Sequence, residues 1–343
     1  MTTPAAPSLP SPPPAAPAPA RRLPDEAFGS GLPYHRLVFA RRRTGWWTPL
    51  VVGLLGVALY LAMTGVAAVA VIVATLSDPD GGSGILSLTE DVVFDLTDPL
   101  VIAVLLGSIA LMLPAYVLAS LIVNGRRVGL VSSAAGRLRW GWMLGCAAAA
   151  VVVAVALTAV SMLLPAEAVD ASGSVVAPED NPQLWLTFLV LLLIVPLQAA
   201  AEEYVFRGYL MQSIGRWLRH PAFAILLPVP LFVAGHLYDP LGQASVAVFA
   251  IAAGWLTWRT GGLEAAIALH VVNNLMAFLM GLAGLADVNA TSPGVASFVW
   301  SALVIVAYVG VVEWLFRRTR LRRTLRLTRP QAASESASRI VYA

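Results

Sequence analysis

Apolar residues gather along the chain in runs that approach the ~20 residues needed to cross the hydrocarbon core of a bilayer, and the charged residues fall almost entirely between those runs. Eight runs lie near residues 48–76, 99–123, 140–164, 184–206, 222–237, 243–258, 263–285 and 295–316. The fifth and sixth are the shortest, with only the tight connection "LYDPLG" between them. The pattern predicts an all-α polytopic membrane protein with about eight transmembrane helices. Its expected place is integral and multi-pass, in a bacterial plasma membrane.

The distribution of charge orients these spans. All 22 basic residues are arginine. Six precede the first span (Arg21, Arg22, Arg36, Arg41, Arg42, Arg43), four lie between spans two and three (Arg126, Arg127, Arg137, Arg139), and three follow span four (Arg207, Arg216, Arg219). Arg259 ends span six, and eight more run from Arg317 to Arg339. The other four connections hold no arginine but 12 of the 19 acidic residues. Cytoplasmic loops are the arginine-rich ones, so both termini are expected to be cytoplasmic. An odd number of spans would scramble this segregation.

Composition agrees, with 58% hydrophobic and only 12% charged residues and a mean hydropathy of +0.78, against about 25% charged in soluble domains. Residues 1–45 begin with a proline- and alanine-rich stretch that cannot build a packed core, so they are expected to be a disordered cytosolic tail. That stretch lacks the cationic start, apolar core and cleavage site of a signal peptide, so the first span is expected to remain as an anchor. Residues 46–318 form the membrane domain, and 319–343 an arginine-rich cytosolic tail suited to anionic headgroups. Membrane lipids are therefore expected partners and nucleic acid is not. The single cysteine, Cys146, has no disulfide partner and no metal-ligand spacing, and reads as a small apolar filler.

Against this background "LQAAAEEYVFRGYLMQ", residues 198–213, stands out. A charge at the centre of a membrane helix costs roughly 2.5–3.5 kcal/mol even on the lenient insertion scale, which makes intramembrane ionisable residues functional candidates. Glu203 and Arg207 are four residues apart with the acid first, the favourable order for a pair on one helix face. Glu202 is rotated ~100° away and meets only Val205 and Phe206 at i+3 and i+4. Two adjacent carboxylates in a low dielectric resist simultaneous ionisation, so the one without the arginine is suited to trading a proton. The plain alternative is a solvated cluster at the headgroup level.

Two more polar-bearing spans follow. "PLFVAGHLYD" places His236 at the end of span five, with Phe232 four residues earlier. "GGLEAAIALHVVNNLMAF" places His270 inside span seven, with Asn273 and Asn274 just after it. His35 and His220 fall in the tail and a connection, where an interfacial role suffices. Counting along straight helices sets His270 roughly 10 Å and His236 roughly 21 Å in from the cytosolic ends of their spans. Those depths disagree, and Pro228 and Pro230 are expected to interrupt span five.

In order and spacing, EEYVFRG, FVAGH and HVVNN resemble the EExxxR, FxxxH and HxxxN motifs of the CPBP family, the CAAX protease and bacteriocin-processing intramembrane proteases. "RTGGLEAAIALH" is similar to the family's lead into its last motif, and the resemblance covers residues 120–285. It implies peptide-bond hydrolysis within the membrane. Glu202 would take a proton from water, Glu203 bridged to Arg207 would hold its helix, and His236 and His270 would orient the water or bind a metal. Asn274 would donate to the oxyanion, and Phe232 would pack on His236 or line the cavity. His236, His270 and Glu202 would suit a catalytic zinc, yet HExxH is absent, so zinc and no metal both stay open, with a glutamate-activated water favoured. The substrate would be a membrane-bound peptide or protein, prenylated or bacteriocin-like. A noncatalytic scaffold or immunity protein of the same fold, and a transporter with a carboxylate–histidine proton relay, are the alternatives; no inverted repeat supports the last.

Overall fold

A computed structural model describes residues 23–77, 93–161, 163, 176–291 and 293–328. Its architecture is all-α: α1 (Thr48–Ser77), α2 (Pro99–Asn124), α3 (Trp140–Ser161), α4 (Leu184–Trp217), α5 (Pro221–Leu226), α6 (Val229–Ala234), α7 (Pro240–Thr260), α8 (Glu264–Leu282) and α9 (Val295–Arg317). Seven of these are long and apolar enough to cross a membrane, and the protein is an integral, multi-pass membrane protein. α8 is the most enclosed, packed among α3, α4 and α7, whereas α1 sits at the periphery against α2.

The expected fifth span is the short pair α5 and α6. Pro228 and Pro230 explain the break: a proline has no N–H for the i→i−4 ladder and its ring crowds the preceding turn, so the chain ends one helix at Leu226 and restarts at Val229. The fourteen residues from Pro221 to Ala234 would reach only about 21 Å, less than the ~30 Å of a bilayer core. The extended link to Pro240 supplies the remaining distance.

The described arginine-bearing segments meet at one end of the bundle. Strand β1 (Leu32–Pro33) pairs antiparallel with β2 (Thr324–Leu325), which joins the two terminal segments directly. Arg36 Nη1 donates to Gly215 O at 3.0 Å and Arg41 Nη2 to Gln212 Oε1 at 2.5 Å. Tyr34 donates to Val131 O. Ser133 bridges to Gly262, and Arg139 Nη1 reaches the carbonyls of Thr260 and Arg322 at 3.0 and 3.3 Å. At the other end Asn289 Oδ1 accepts from Phe94 N at 2.8 Å, Asn181 Nδ2 donates to Leu96 O at 2.9 Å, and Asp239 N donates to Thr291 O at 3.1 Å. The four arginine-free connections therefore gather there. β1, before the first span, and β2, after the last, pair at one end, as an even number of crossings would place them, and α5 with α6 takes the place of the expected fifth span. Trp46, Trp47, Trp140 and Trp217 are exposed at the arginine end, where an aromatic belt marks the headgroup level.

Two boundaries differ from the sequence reading. Residues 23–45 are packed: Tyr34–Ala40 form a 3₁₀ stretch that is buried throughout against the last turns of α4. Composition misleads there because the proline–alanine bias stops near Pro33, and Tyr34, Leu37, Val38 and Phe39 supply a core. Gly215 allows the close approach, since a Cβ would collide with the His35 carbonyl. His35 is thus buried instead of interfacial; its Nε2 bonds Arg219 O at 3.0 Å, and burial lowers its pKa from 6.5. α4, expected to stop near 206, runs on to Trp217 through a π-type stretch over Tyr204–Leu210. Residues 1–22 and 329–343 of the two tails, and the loop positions Ser87 and Ser174, lie outside the described residues.

Candidate active site

α4 and α8 carry the polar groups and α6 and α7 close over them. On α4, Gln198 and Glu202 are one turn apart on one face, and Glu203 and Arg207 on the next. The π-type stretch begins directly after Glu203 and widens the backbone where Arg207 turns inward; such single wide turns are frequent at functional sites.

Glu203, His270 and Arg207 form one buried cluster. Arg207 Nη1 donates to Glu203 Oε1 at 2.8 Å, with both side chains almost fully buried, so the expected i,i+4 pair is present. The same Oε1 lies 2.8 Å from His270 Nδ1. A carboxylate in this position accepts, so Nδ1 carries a proton and the ring turns Nε2 toward Glu202. Nε2 lies 3.5 Å from Glu202 Oε2, and in the tautomer with Nε2 unprotonated it is a second acceptor there. Two acceptors that close repel unless a proton or a donor lies between them. Glu202 Oε2, Glu203 Oε2 and Arg207 Nη2 are all buried without a protein hydrogen-bond partner, a concentration of unsatisfied polar atoms that marks a place for a polar guest.

Phe232 stacks under the cluster. Arg207 Cζ lies 4.2 Å from its ring centroid, a cation–π contact strengthened by exclusion from water. The ring is 4.9 Å from that of His236 and 6.2 Å from that of His270, so it packs on His236 and also lines a cleft of about 200 Å³ with Phe206, Arg207, Met211, Ile225 and Val229. His236 Nδ1 bonds the Phe232 carbonyl at 2.8 Å, which leaves its Nε2 as an acceptor. Asn274 Nδ2 donates to Gln198 Oε1 at 3.1 Å, and its Oδ1 accepts from Asn273 Nδ2 at 3.2 Å.

Glu202, Glu203, Arg207 and His270 come together, with Asn274 attached to the same face of α4 through Gln198; His236 joins this group through Phe232, whose ring it packs on. A catalytic zinc needs its nitrogen and oxygen donors within about 2.0–2.2 Å of one point. Among the described residues no group of three His, Cys, Asp or Glu could hold a metal ion, so the set His236, His270 and Glu202 does not fit zinc as arranged here.

Sequence reading passed over Gln198, although it stands one turn before Glu202, and Phe249, whose ring lies 4.9 Å from that of His270. It also passed over Arg139 and Glu264. These form a two-point ion pair, Nε to Oε1 at 2.9 Å and Nη2 to Oε2 at 2.6 Å, with Glu264 fully buried at the start of α8. The pair fastens the helix that carries His270. A lone acid opening an apolar span beside an arginine-rich loop was the available signal.

Residues 181–276, which carry the three motifs, match the family model described as type II CAAX prenyl endopeptidase Rce1-like. That match supports an intramembrane protease kind of function. The chain is also similar to the uncharacterized protein YyaK of Bacillus subtilis (strain 168), 26% identical over 159 residues that cover 41% of this chain and 52% of the relative. The chain thus spans about half the length of the curated relative it matches. No solved structure matches.

Proposed function

We propose that this protein is an intramembrane endopeptidase that hydrolyses a peptide bond with a water activated by Glu202. The carrying observation is the 3.5 Å approach of Glu202 Oε2 to His270 Nε2, both acceptors, with Nδ1 tied down by Glu203 at 2.8 Å. A water between them donates one hydrogen to each, which aims its oxygen lone pairs away from the pair and toward a substrate carbonyl. Glu202 takes a proton as the oxygen attacks, and returns it to the leaving amine. His270 is the orienting group, since its own proton is committed to Glu203, and Arg207 balances the Glu203 charge. Asn274 Nδ2 spends one hydrogen on Gln198 and has a second for the oxyanion, a donor worth about 2.7–4 kcal/mol in the transition state of acyl transfer. His236, packed on Phe232, offers Nε2 to the peptide N–H of a bound substrate. No step requires a metal.

The substrate is a peptide or protein segment reached within the membrane, prenylated or bacteriocin-like in class. Comparison of membrane peptidomes from cells carrying wild-type protein or Glu202→Gln tests the reading. The expected result is accumulation of a longer precursor and loss of its cleaved fragment in the variant, at equal protein level. Identical peptidomes would return the protein to a noncatalytic role.

A further inference from the structure

The link between α6 and α7, residues 235–239, is non-helical backbone at membrane depth: the fourteen residues of α5 and α6 reach about 21 Å of a ~30 Å core, and the link runs the rest of the way. Both of its ends are tied down. His236 N donates to Val233 O at 2.9 Å and His236 Nδ1 bonds Phe232 O at 2.8 Å, while Asp239 N donates to Thr291 O at 3.1 Å and Asp239 Oδ1 accepts from Gly242 N at 2.7 Å. Between these anchors the chain is strand-like. The rings of His236 and Tyr238, two residues apart, lie 6.1 Å from each other, as side chains on one side of an extended chain do. Tyr238 packs on the first turn of α7, where a Cβ at Gly242 would collide with it. The N–H and C=O groups of Leu237 and Tyr238 have no hydrogen-bond partner among the described residues.

Non-helical backbone is tolerated at this depth only where protein buries it or a polar guest or water meets it. Leu237 is 84% exposed, so protein does not bury it. The hydrolysis proposed above makes the complementary demand, and the inference rests on that reading. A helical substrate keeps its carbonyls in its own i→i−4 ladder, so it must unwind to offer one to the attacking water, and unwinding strips the neighbouring N–H and C=O groups of their partners. An open strand edge restores them. We propose that Leu237 and Tyr238 form an edge strand, directly beside His236, that receives the unwound substrate by backbone pairing, as in β-strand addition. Recognition then reads chain conformation ahead of side chains. The substrate class is a membrane segment that unwinds readily at the cut, rich there in glycine or β-branched residues.

The peptidome comparison supplies the readout, namely the fragments present in wild type and absent in Glu202→Gln. Leu237→Pro removes one N–H from the edge and suits an extended chain. Val295→Pro, at the exposed first position of α9 where the N–H has no helical acceptor, controls for proline itself. Those fragments should fall about tenfold in Leu237→Pro, the effect of leaving a backbone group unpaired, and stay at the wild-type level in Val295→Pro. Wild-type levels in Leu237→Pro, or an equal fall in Val295→Pro, would overturn the pairing and leave proteolysis standing, whereas fragments that persist in Glu202→Gln would remove the reading on which the pairing rests. Amide exchange decides the matter even if Leu237→Pro folds poorly. Purified Glu202→Gln protein is mixed with the precursor that accumulates in its own cells, and exchange at Leu237 and Tyr238 should slow about tenfold. Unchanged exchange at both would overturn the pairing and show that water alone covers the edge.

Discussion

Glu203 Oε1 holds the ring of His270 by Nδ1 at 2.8 Å, so a carboxylate on α4 decides which nitrogen of an imidazole on α8 faces Glu202. The same oxygen is anchored by Arg207 at 2.8 Å. Glu203 Oε1 thereby ties two helices together, whereas its neighbour Glu202 makes no ion pair with Arg207 and is the carboxylate proposed to transfer the proton.

The two adjacent carboxylates should therefore fail differently. Glu203→Ala leaves Arg207 buried without its partner, a loss of about 3–5 kcal/mol, and should give poor yields from the membrane. Glu202→Gln keeps the shape and should extract as well as wild type, with turnover reduced at least ~100-fold, as expected for loss of a general base. Yields and rates measured side by side check this, and an equal drop in yield for both would erase the division of roles.

Metal removal is the second test. With no group of three metal-ligating side chains among the described residues, treatment of purified protein with a chelator should leave the rate unchanged. His270→Ala should slow turnover without altering metal content. One equivalent of zinc, lost together with activity and restoring it when added back, would show the mechanism to be metal-dependent.

Topology can be read by labelling single cysteines in a Cys146→Ala background with a membrane-impermeant maleimide. Cysteine at Ser30 or Thr319, which flank the β1–β2 pair, should react only after lysis. Cysteine at Ala290, or in the acidic loops at Ser87 or Ser174, should react in intact cells. Labelling of Ser30 and Thr319 from opposite sides would break the eight-crossing arrangement.

Docking of residues 34–40 should depend on pH. Burial lowers the pKa of His35, so the released segment takes up a proton first. Docking is then at full strength above the ordinary histidine value of about 6.5 and weakens as pH falls below it. Charging the ring would place a proton on Nδ1, which is buried without a partner. Trypsin cleavage after Arg36 or Arg41 should accelerate in mildly acidic buffer, and Gly215→Ala should produce the same acceleration at neutral pH. A cleavage rate that is flat across that range in wild type would rule out the dependence.

Periodicity, arginine segregation and the three motifs were enough to determine an α-helical membrane bundle and the helices that bear Glu202, His270 and Asn274. The reason is that bilayer thickness and the cost of charge in hydrocarbon act on each segment separately, and a one-dimensional pattern records them. Only the tertiary structure decided the pairings between segments. That Glu203 serves both Arg207 and His270, that Gln198 holds Asn274, that Arg207 lies over Phe232, and that Arg139 locks Glu264 all depend on the relative rotation and depth of helices from different parts of the chain. The break at Pro228 and the wide turn after Glu203 shift those depths by amounts that residue counting along straight helices cannot register. The burial of Tyr34–Ala40 has the same origin: a short apolar stretch after a disordered-looking tail becomes core only when another element, here the end of α4 with Gly215, comes close enough to cover it.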